Sequence, residues 1–200
     1  MIKIIIQVTL FLIYWSSTFA IEKLPKCEGN LQVWTNCHGK RSYLNGQTYE
    51  GEWEDGFKHG KGTLDYGDGR IWNGDFIAGD PRGTGTMSYS DGRIYVGQIK
   101  FGIREGRGTM TWPHGTSYTG EWEKNMYHGE GIAKWPDGDS YDGEWKEGLF
   151  DGKGTYFHGT GQKFVGYFKK GKKHGRGIYY FLEGKTEKGI WRYDELVKPD

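Results

Sequence analysis

From residue 49 onward the chain alternates. Tyr49-Glu50-Gly51-Glu52-Trp53 sets rings and glycine against charge, and Lys61-Gly62-Thr63-Leu64-Asp65-Tyr66 repeats the alternation, a period of two that belongs to β-strands. Glu54 to Gly60, rich in charge and glycine, reads as the turn between these strands, and Gly67-Asp68-Gly69 as the turn into the next strand. The pattern then recurs without a gap. Segments open at Tyr49, Trp72, Tyr95, Tyr118, Tyr141 and Phe164, each 23 residues after the last. The third position is Gly51, Gly74, Gly97, Gly120, Gly143 and Gly166, continued by Gly189, and the fifth is Trp53, Phe76, Ile99, Trp122, Trp145 and Phe168, continued by Trp191. Glycine also fills the eighth position in five copies and the twelfth, fourteenth and twenty-first in all six. Each copy therefore predicts one β-hairpin, and successive hairpins should pair edge to edge. Seven of them at about 4.8 Å per strand make a sheet on the order of 65 Å long.

The repeated run Tyr49-Glu-Gly-Glu-Trp-Glu-Asp-Gly-Phe-Lys-His-Gly-Lys-Gly-Thr is echoed by Tyr118-Thr-Gly-Glu-Trp with His128-Gly-Glu-Gly, and by Tyr141-Asp-Gly-Glu-Trp with Asp151-Gly-Lys-Gly-Thr. It resembles the MORN repeat family. The resemblance covers about residues 37 to 191 and implies an all-β, elongated, single-layer antiparallel sheet of stacked hairpins, curved like a gutter. It also implies use as a scaffold, a dimerisation surface or a lipid contact. Asn125 in place of the eighth-position glycine, Ile99 in place of the aromatic, and Arg82, Glu105 and Asp151 in place of the histidine before the twelfth glycine depart from the pattern locally. The implied organisation is a leader over 1–20, an N-terminal cap and half repeat over 21–48, six repeats (49–71, 72–94, 95–117, 118–140, 141–163 and 164–186), and a partial seventh with a C-terminal cap over 187–200.

Positions one, three and five of a copy share a face with positions fourteen, sixteen and eighteen. That face reads as aromatics interleaved with glycine, and bare glycine backbone is where a neighbouring ring can lie. The other face carries Glu50 and Glu52, Asn73 and Asp75, Asp142 and Glu144. A single-layer sheet has no second layer over its apolar side, so Tyr49, Trp53, Trp72, Tyr95, Tyr118, Trp122, Tyr141 and Trp145 are candidate partner contacts. Val165 and Tyr167, apolar at positions that are polar in most copies, join them, and Val96 makes the same departure in the third copy. The competing reading is structural, since a ring recurring at the repeat period is what a solenoid needs to stack its units. A stripe of Trp and Tyr would also suit a cell-surface polymer or carbohydrate.

The first twenty residues differ from the rest. Lys3, the apolar stretch Ile4 to Trp15 and the small residues before Ala20 predict a signal peptide cut after Ala20. Export to a periplasm or the extracellular space would let Cys27 and Cys37 pair, two free thiols being the alternative. Lys26 to Asn36 should cap the first sheet edge and Arg192 to Asp200, with Pro199, the last.

Composition agrees with this reading. The chain has 35 glycines in 200 residues, 30 of them in the five repeated columns, and 16% aromatics, while Leu, Ile, Val and Phe together supply only 19%. Rings stand in for aliphatics, and a net charge of +1 argues against bulk binding to nucleic acid. No phosphate-loop, dinucleotide, zinc-protease or nucleophile-elbow motif occurs. His59, His128 and His174 sit on different hairpins and cannot form one site, so no enzyme, metal or cofactor is expected. Charge is uneven along the array: the copy from Tyr49 carries −3 and the copy from Phe164 carries +5. Lys169, Lys170, Lys172, Lys173 and Arg176 are the candidate anion-binding patch, for lipid headgroups, an acidic polymer or the acidic end of another copy. The expected function is a non-enzymatic exported scaffold for protein interaction or self-association, with a homodimer or peripheral membrane contact as partner arrangements.

Overall fold

The computed structural model describes residues 23–200, so the expected leader lies outside the described residues. Fifteen strands form one antiparallel sheet whose spatial order matches chain order from first to last, leaving it open at both edges. A half repeat supplies β1 (Cys37–Ser42). Each copy then contributes a strand of seven residues and one of nine, beginning with β2 (Thr48–Glu54) and β3 (Phe57–Asp65). The partial seventh copy completes a hairpin of β14 (Thr186–Arg192) and β15 (Glu195–Pro199).

The glycines of columns three and fourteen fall opposite one another at every strand junction. Gly39 faces Gly51, Gly51 faces Gly62, Gly62 faces Gly74, and the line continues strand by strand to Gly177 against Gly189 and Gly189 against Pro199. The first ring of each copy lies across this stripe. A Cβ built on Gly120 would meet the Cα of Gly131 at 2.5 Å and the hydroxyl of Tyr118 at 2.6 Å. Within each copy the register slips just beyond the stripe, for example between Gly51 and Glu52. This bulge leaves carbonyls outside the ladder, and the rings take them up. Tyr49 Oη donates to Glu52 O at 2.9 Å, and Tyr118 Oη to Glu121 O at 2.8 Å. The fifth-column indoles reach the preceding strand: Trp53 Nε1 donates to Gly39 O at 2.9 Å and Trp145 Nε1 to Gly131 O at 2.9 Å. Each ring thus buries its area and satisfies its polar end together.

The hairpin turn is tighter than the expected Glu54 to Gly60. It consists of two residues, Asp55 and Gly56, both in the left-handed region at φ 49° and 77°, so β3 already starts at Phe57. This is the type I′ geometry whose twist matches that of the strands it joins. Ala78-Gly79, Phe101-Gly102, Lys124-Asn125, Glu147-Gly148, Lys170-Gly171 and Tyr193-Asp194 repeat it. The turns are also tied together in series. The eighth-column N–H donates to the tenth-column carbonyl of the copy before, as in Gly79 N to Lys58 O at 2.9 Å and Gly148 N to Tyr127 O at 3.0 Å. Asn125 departs from glycine with a reason: it keeps the left-handed backbone at φ 69°, and its Oδ1 accepts the Arg104 N–H at 2.9 Å.

The two edges are finished differently. Cys27 and Cys37 form a disulfide, and Cys27 N donates to His38 O at 3.0 Å while His38 N donates to Pro25 O at 2.8 Å, so residues 25–27 cover β1. Trp34 packs its ring against Trp53 with centroids 5.1 Å apart. At the far end, residues expected to act only as a cap instead build a strand, β15, short and terminated by Pro199, which has no N–H to offer a neighbour.

Gly120→Ala should destabilise the protein by about 3 kcal/mol, at the upper end of overpacking costs. Gly184→Ala, with φ +79° and no atom within 4 Å of its Cβ, should lose only about 1 kcal/mol; equal midpoints in urea unfolding would refute the ring-over-glycine account. Replacing Cys27 and Cys37 together with serine should remove about 2 to 3 kcal/mol, read as a fall in thermal midpoint that reductant reproduces in the parent protein but not in the variant.

Candidate interaction surfaces

Of the rings expected as partner contacts, all but Tyr167 are unavailable for contact. Tyr49, Trp72, Tyr95, Tyr118 and Tyr141 have no exposed area, and Trp53, Trp122 and Trp145 keep at most 4%. They are the core. Neighbouring copies close over them edge-to-face, Tyr118 lying 5.2 Å from both Trp122 and Trp145.

Over this core sits a residue column that the pattern of turns concealed. The tenth position of each copy, Lys58, Pro81, Arg104, Tyr127, Phe150 and Lys173, followed by Leu196, faces the fifth-column side chain across the hairpin. Tyr127 and Phe150 stack on Tyr118 and Tyr141 at 3.8 Å. In three copies a cation takes the same place. Arg104 lies 4.5 Å above Trp122, Lys58 5.9 Å above Tyr49, and Lys173 4.7 Å above Trp191. Burial pushes the Lys58 ammonium below its ordinary pKa, as expected where a long aliphatic stem is laid over rings. Because these positions hold charge or proline in four copies, alternation did not mark them as facing the core. Their recurrence every 23 residues was the signal that could have.

The opposite face is mostly polar in the early copies, with Val96 and Ile132 exposed in the third and fourth, and gains aromatic area late. At position four, Asp75, Gln98 and Glu144 each accept the backbone N–H of position thirteen, at 2.9, 2.8 and 2.9 Å. Tyr167 stands at that position in the sixth copy and puts an aromatic ring where the acceptor was. Val165, like Val96 in the third copy, puts an apolar residue at position two, and it pairs directly with Thr155 on one side and Ile178 on the other. Val165 is 38% exposed, Tyr167 47% and Phe157 41%. Basic residues are interleaved on the same face: Lys153 opposite Tyr167, Lys163 between Phe157 and Tyr180, Arg176 opposite Ile190, Lys188 beside Ile178. Lys188 pairs with Asp200 at 2.9 Å. Val165 and Tyr167 thus belong to an apolar and basic surface on the face away from the buried rings.

The five basic residues expected to form one anion patch are divided by the sheet. Lys169 and Lys172 oppose each other at the hairpin tip, Lys170 occupies the turn itself, and Arg176 lies further along the polar face. Lys173 points to the other side, over Phe164, Tyr179 and Trp191. The histidines are likewise local. His59 pairs with Glu54 at 2.8 Å and His128 with Glu123 at 3.3 Å, each within its own hairpin. His174, where Lys169 takes the place of that glutamate, packs on Tyr193 and leaves Nδ1 without a partner. Among the described residues no group of three His, Cys, Asp or Glu side chains is placed to hold a metal ion.

A family model described as MORN repeat matches residues 49–69, 72–92, 95–117, 118–140, 141–163 and 164–186. No curated protein matches the chain by sequence. Among solved structures, the chain is similar to the SAS-4 (dCPAP) TCP domain of Drosophila melanogaster, solved in complex with a proline-rich motif of Ana2, with 12% identity and a TM-score of 0.46 over 76% of this chain and 83% of that one. It is also similar to the G-box domain of the microcephaly protein CPAP, with 19% identity and a TM-score of 0.24 over 78% of this chain and 99% of that one. At these scores neither likeness bears on function.

Burial holds the hydroxyls of Tyr49, Tyr95, Tyr118 and Tyr141 protonated well above the usual phenol range. Their share of stability is complete below about pH 10, the ordinary tyrosine value. It declines as pH rises beyond that, because the unfolded chain then releases protons that the folded chain keeps. Alkaline titration should therefore show these phenols ionising together with loss of the fold. A phenolate signal from them near the ordinary value, with far-ultraviolet circular dichroism intact, would contradict their burial.

Proposed function

The chain belongs to the MORN-repeat family, and on that premise we propose that it is a non-catalytic scaffold that engages a protein partner through the polar-side surface of its last copies. One observation carries the reading. Tyr167 breaks a rule that all five earlier copies keep at position four, and with Val165 it exposes apolar area where Asp142 and Glu144 stand one copy before. Local rules broken without structural gain mark functional positions, and an aromatic amid cations is a usual composition for an interface centre. Lys153, Lys163, Arg176 and Lys188 around it select a partner face that is acidic at its rim, while Val165, Tyr167 and Ile178 supply the desolvated centre.

The leader read at residues 1–20 supports export of this scaffold from the cytoplasm, and the Cys27–Cys37 disulfide suits such a compartment. Binding of a surface polymer through the aromatic stripe loses support, since those rings have no free face. Self-association and contact with an anionic membrane use the same surface in this reading and are separate outcomes of its test.

A photo-crosslinker placed at Tyr167 should trap a discrete partner chain in the native cell envelope, whereas one placed at Thr63, on the same face of the first copy, should not. Arg176→Glu with Lys188→Glu should abolish the trapped species while leaving thermal stability within about 0.5 kcal/mol. Trapping of a second copy would identify self-association, and trapping of lipid alone, or of nothing, would overturn the protein-partner reading.

A further inference from the structure

On the ring side of the sheet, between the fifth and sixth copies, the repeat opens into a cavity of about 210 Å³. Its walls include Phe150, Tyr156, His158 and Phe168, with Lys173 and Asp194 at one end. A second cavity of about 190 Å³ shares Phe150 and Gly171 with it and is lined further by Trp135 and Trp145. The opening coincides with a departure from the repeat. Position eighteen is Tyr66, Tyr89, Trp112 and Trp135 in the first four copies, and His158 here puts a smaller, polar ring in that place.

The polar groups at this cavity are unevenly committed. Asp139 accepts from the Tyr156 hydroxyl at 2.5 Å and from Gly159 N at 2.8 Å, and its Oδ2 lies 3.8 Å from His158 Nδ1. Asp194 Oδ1 accepts the backbone N–H of Lys173 at 2.9 Å. The Lys173 ammonium itself rests over ring faces 4.7 to 5.7 Å away and makes no ion pair among the described residues. Arg104, its counterpart in the third copy, donates instead to Asn125 Oδ1 at 3.1 Å. Lys173 is thus a cation without an ion-pair partner in an aromatic cleft whose one carboxylate, Asp194, is already engaged by a backbone N–H.

We propose that this cleft binds a small aromatic carboxylate, its ring seated against Phe150, Tyr156 and His158 and its acid group received by the Lys173 ammonium. Stacking and edge contacts supply the apolar part of recognition, as in most small-ligand clefts, and one convergent charge fixes the orientation. A charge-assisted hydrogen bond in a half-buried site distinguishes the acid from a neutral analogue of the same shape. The cleft lies on the face opposite the partner surface and does not depend on it.

Isothermal titration of the whole mature protein with 3-phenylpropionate and with 3-phenylpropanamide tests the assignment. The acid should bind about tenfold more tightly than the amide. Lys173→Gln should remove that preference and leave amide binding unchanged. His158→Trp, which restores the ring found at the same position in the fourth copy and so preserves the fold, should fill the cleft and abolish binding of both. No binding of the acid at millimolar concentration, equal affinity for acid and amide, or an unchanged preference in Lys173→Gln would each overturn the proposal.

Discussion

One contact governs this molecule: an aromatic ring lying flat across the backbone of two glycines on adjacent strands. A single-layer sheet has no partner layer against which to bury apolar area, and here the bare backbone of each copy's own two strands takes that role for its first ring. The contact tolerates no Cβ, which is why the stripe runs unbroken from Gly39 to Gly189 across the sheet. It also needs carbonyls for the polar atoms it buries: the bulge beside the stripe supplies them to the hydroxyls, and stripe glycines on the preceding strand supply them to the fifth-column indoles. Glycine weakens an isolated strand, so the stripe is stabilising because each ring brings about 2 to 3 kcal/mol of burial and each Tyr or Trp among them also satisfies its polar atom.

The requirement explains why the architecture is so readable in the sequence. A ring and two glycines must recur in every copy, so the 23-residue period, the strand pairs and the division into faces are all legible in the residues alone. Less legible is what the period means for accessibility. Alternation assigns Trp53 and Tyr118 to a face but does not say that the next copy closes over it, and so rings that form the core read as contacts. The two-residue turn at Asp55 and Gly56 is hidden for a related reason. Lys58 faces the core while carrying a charge, so Phe57 to Gly60 reads as loop when it is strand. Chemistry at the tenth column varies from cation to ring to proline because the demand there is to cover a ring, and several side chains do so.

Where a scaffold dictates so many positions, the rest carry the information. Tyr167, with Val165 beside it, forgoes the acceptor that its column holds in every earlier copy, and His158 forgoes a large ring. Neither change improves the stacking of copies. Both fall in the last part of the array, beside the excess of basic residues that set the sixth copy apart in the sequence. Polarisation along the chain therefore coincides with a change of surface chemistry, although the basic residues are shared between the two faces of the sheet and do not form one patch.

That division is a property of the strand itself. Arg176 and Lys173 are three residues apart in the same strand, yet one lies on the face of Val165 and Tyr167 and the other in the aromatic cleft, because successive side chains point to opposite sides. In a two-layer domain one of these faces would be interior and unavailable. Here the ring side is buried only as far as the rings of adjacent copies reach, so a smaller ring at one position opens it, while the other side stays free along its whole length. Two surfaces that share a backbone but no side chains can be altered separately, and contributions from such separated groups add. A MORN-type sheet can thus hold two unrelated recognition surfaces in a single copy, provided that the glycine stripe between them is left untouched.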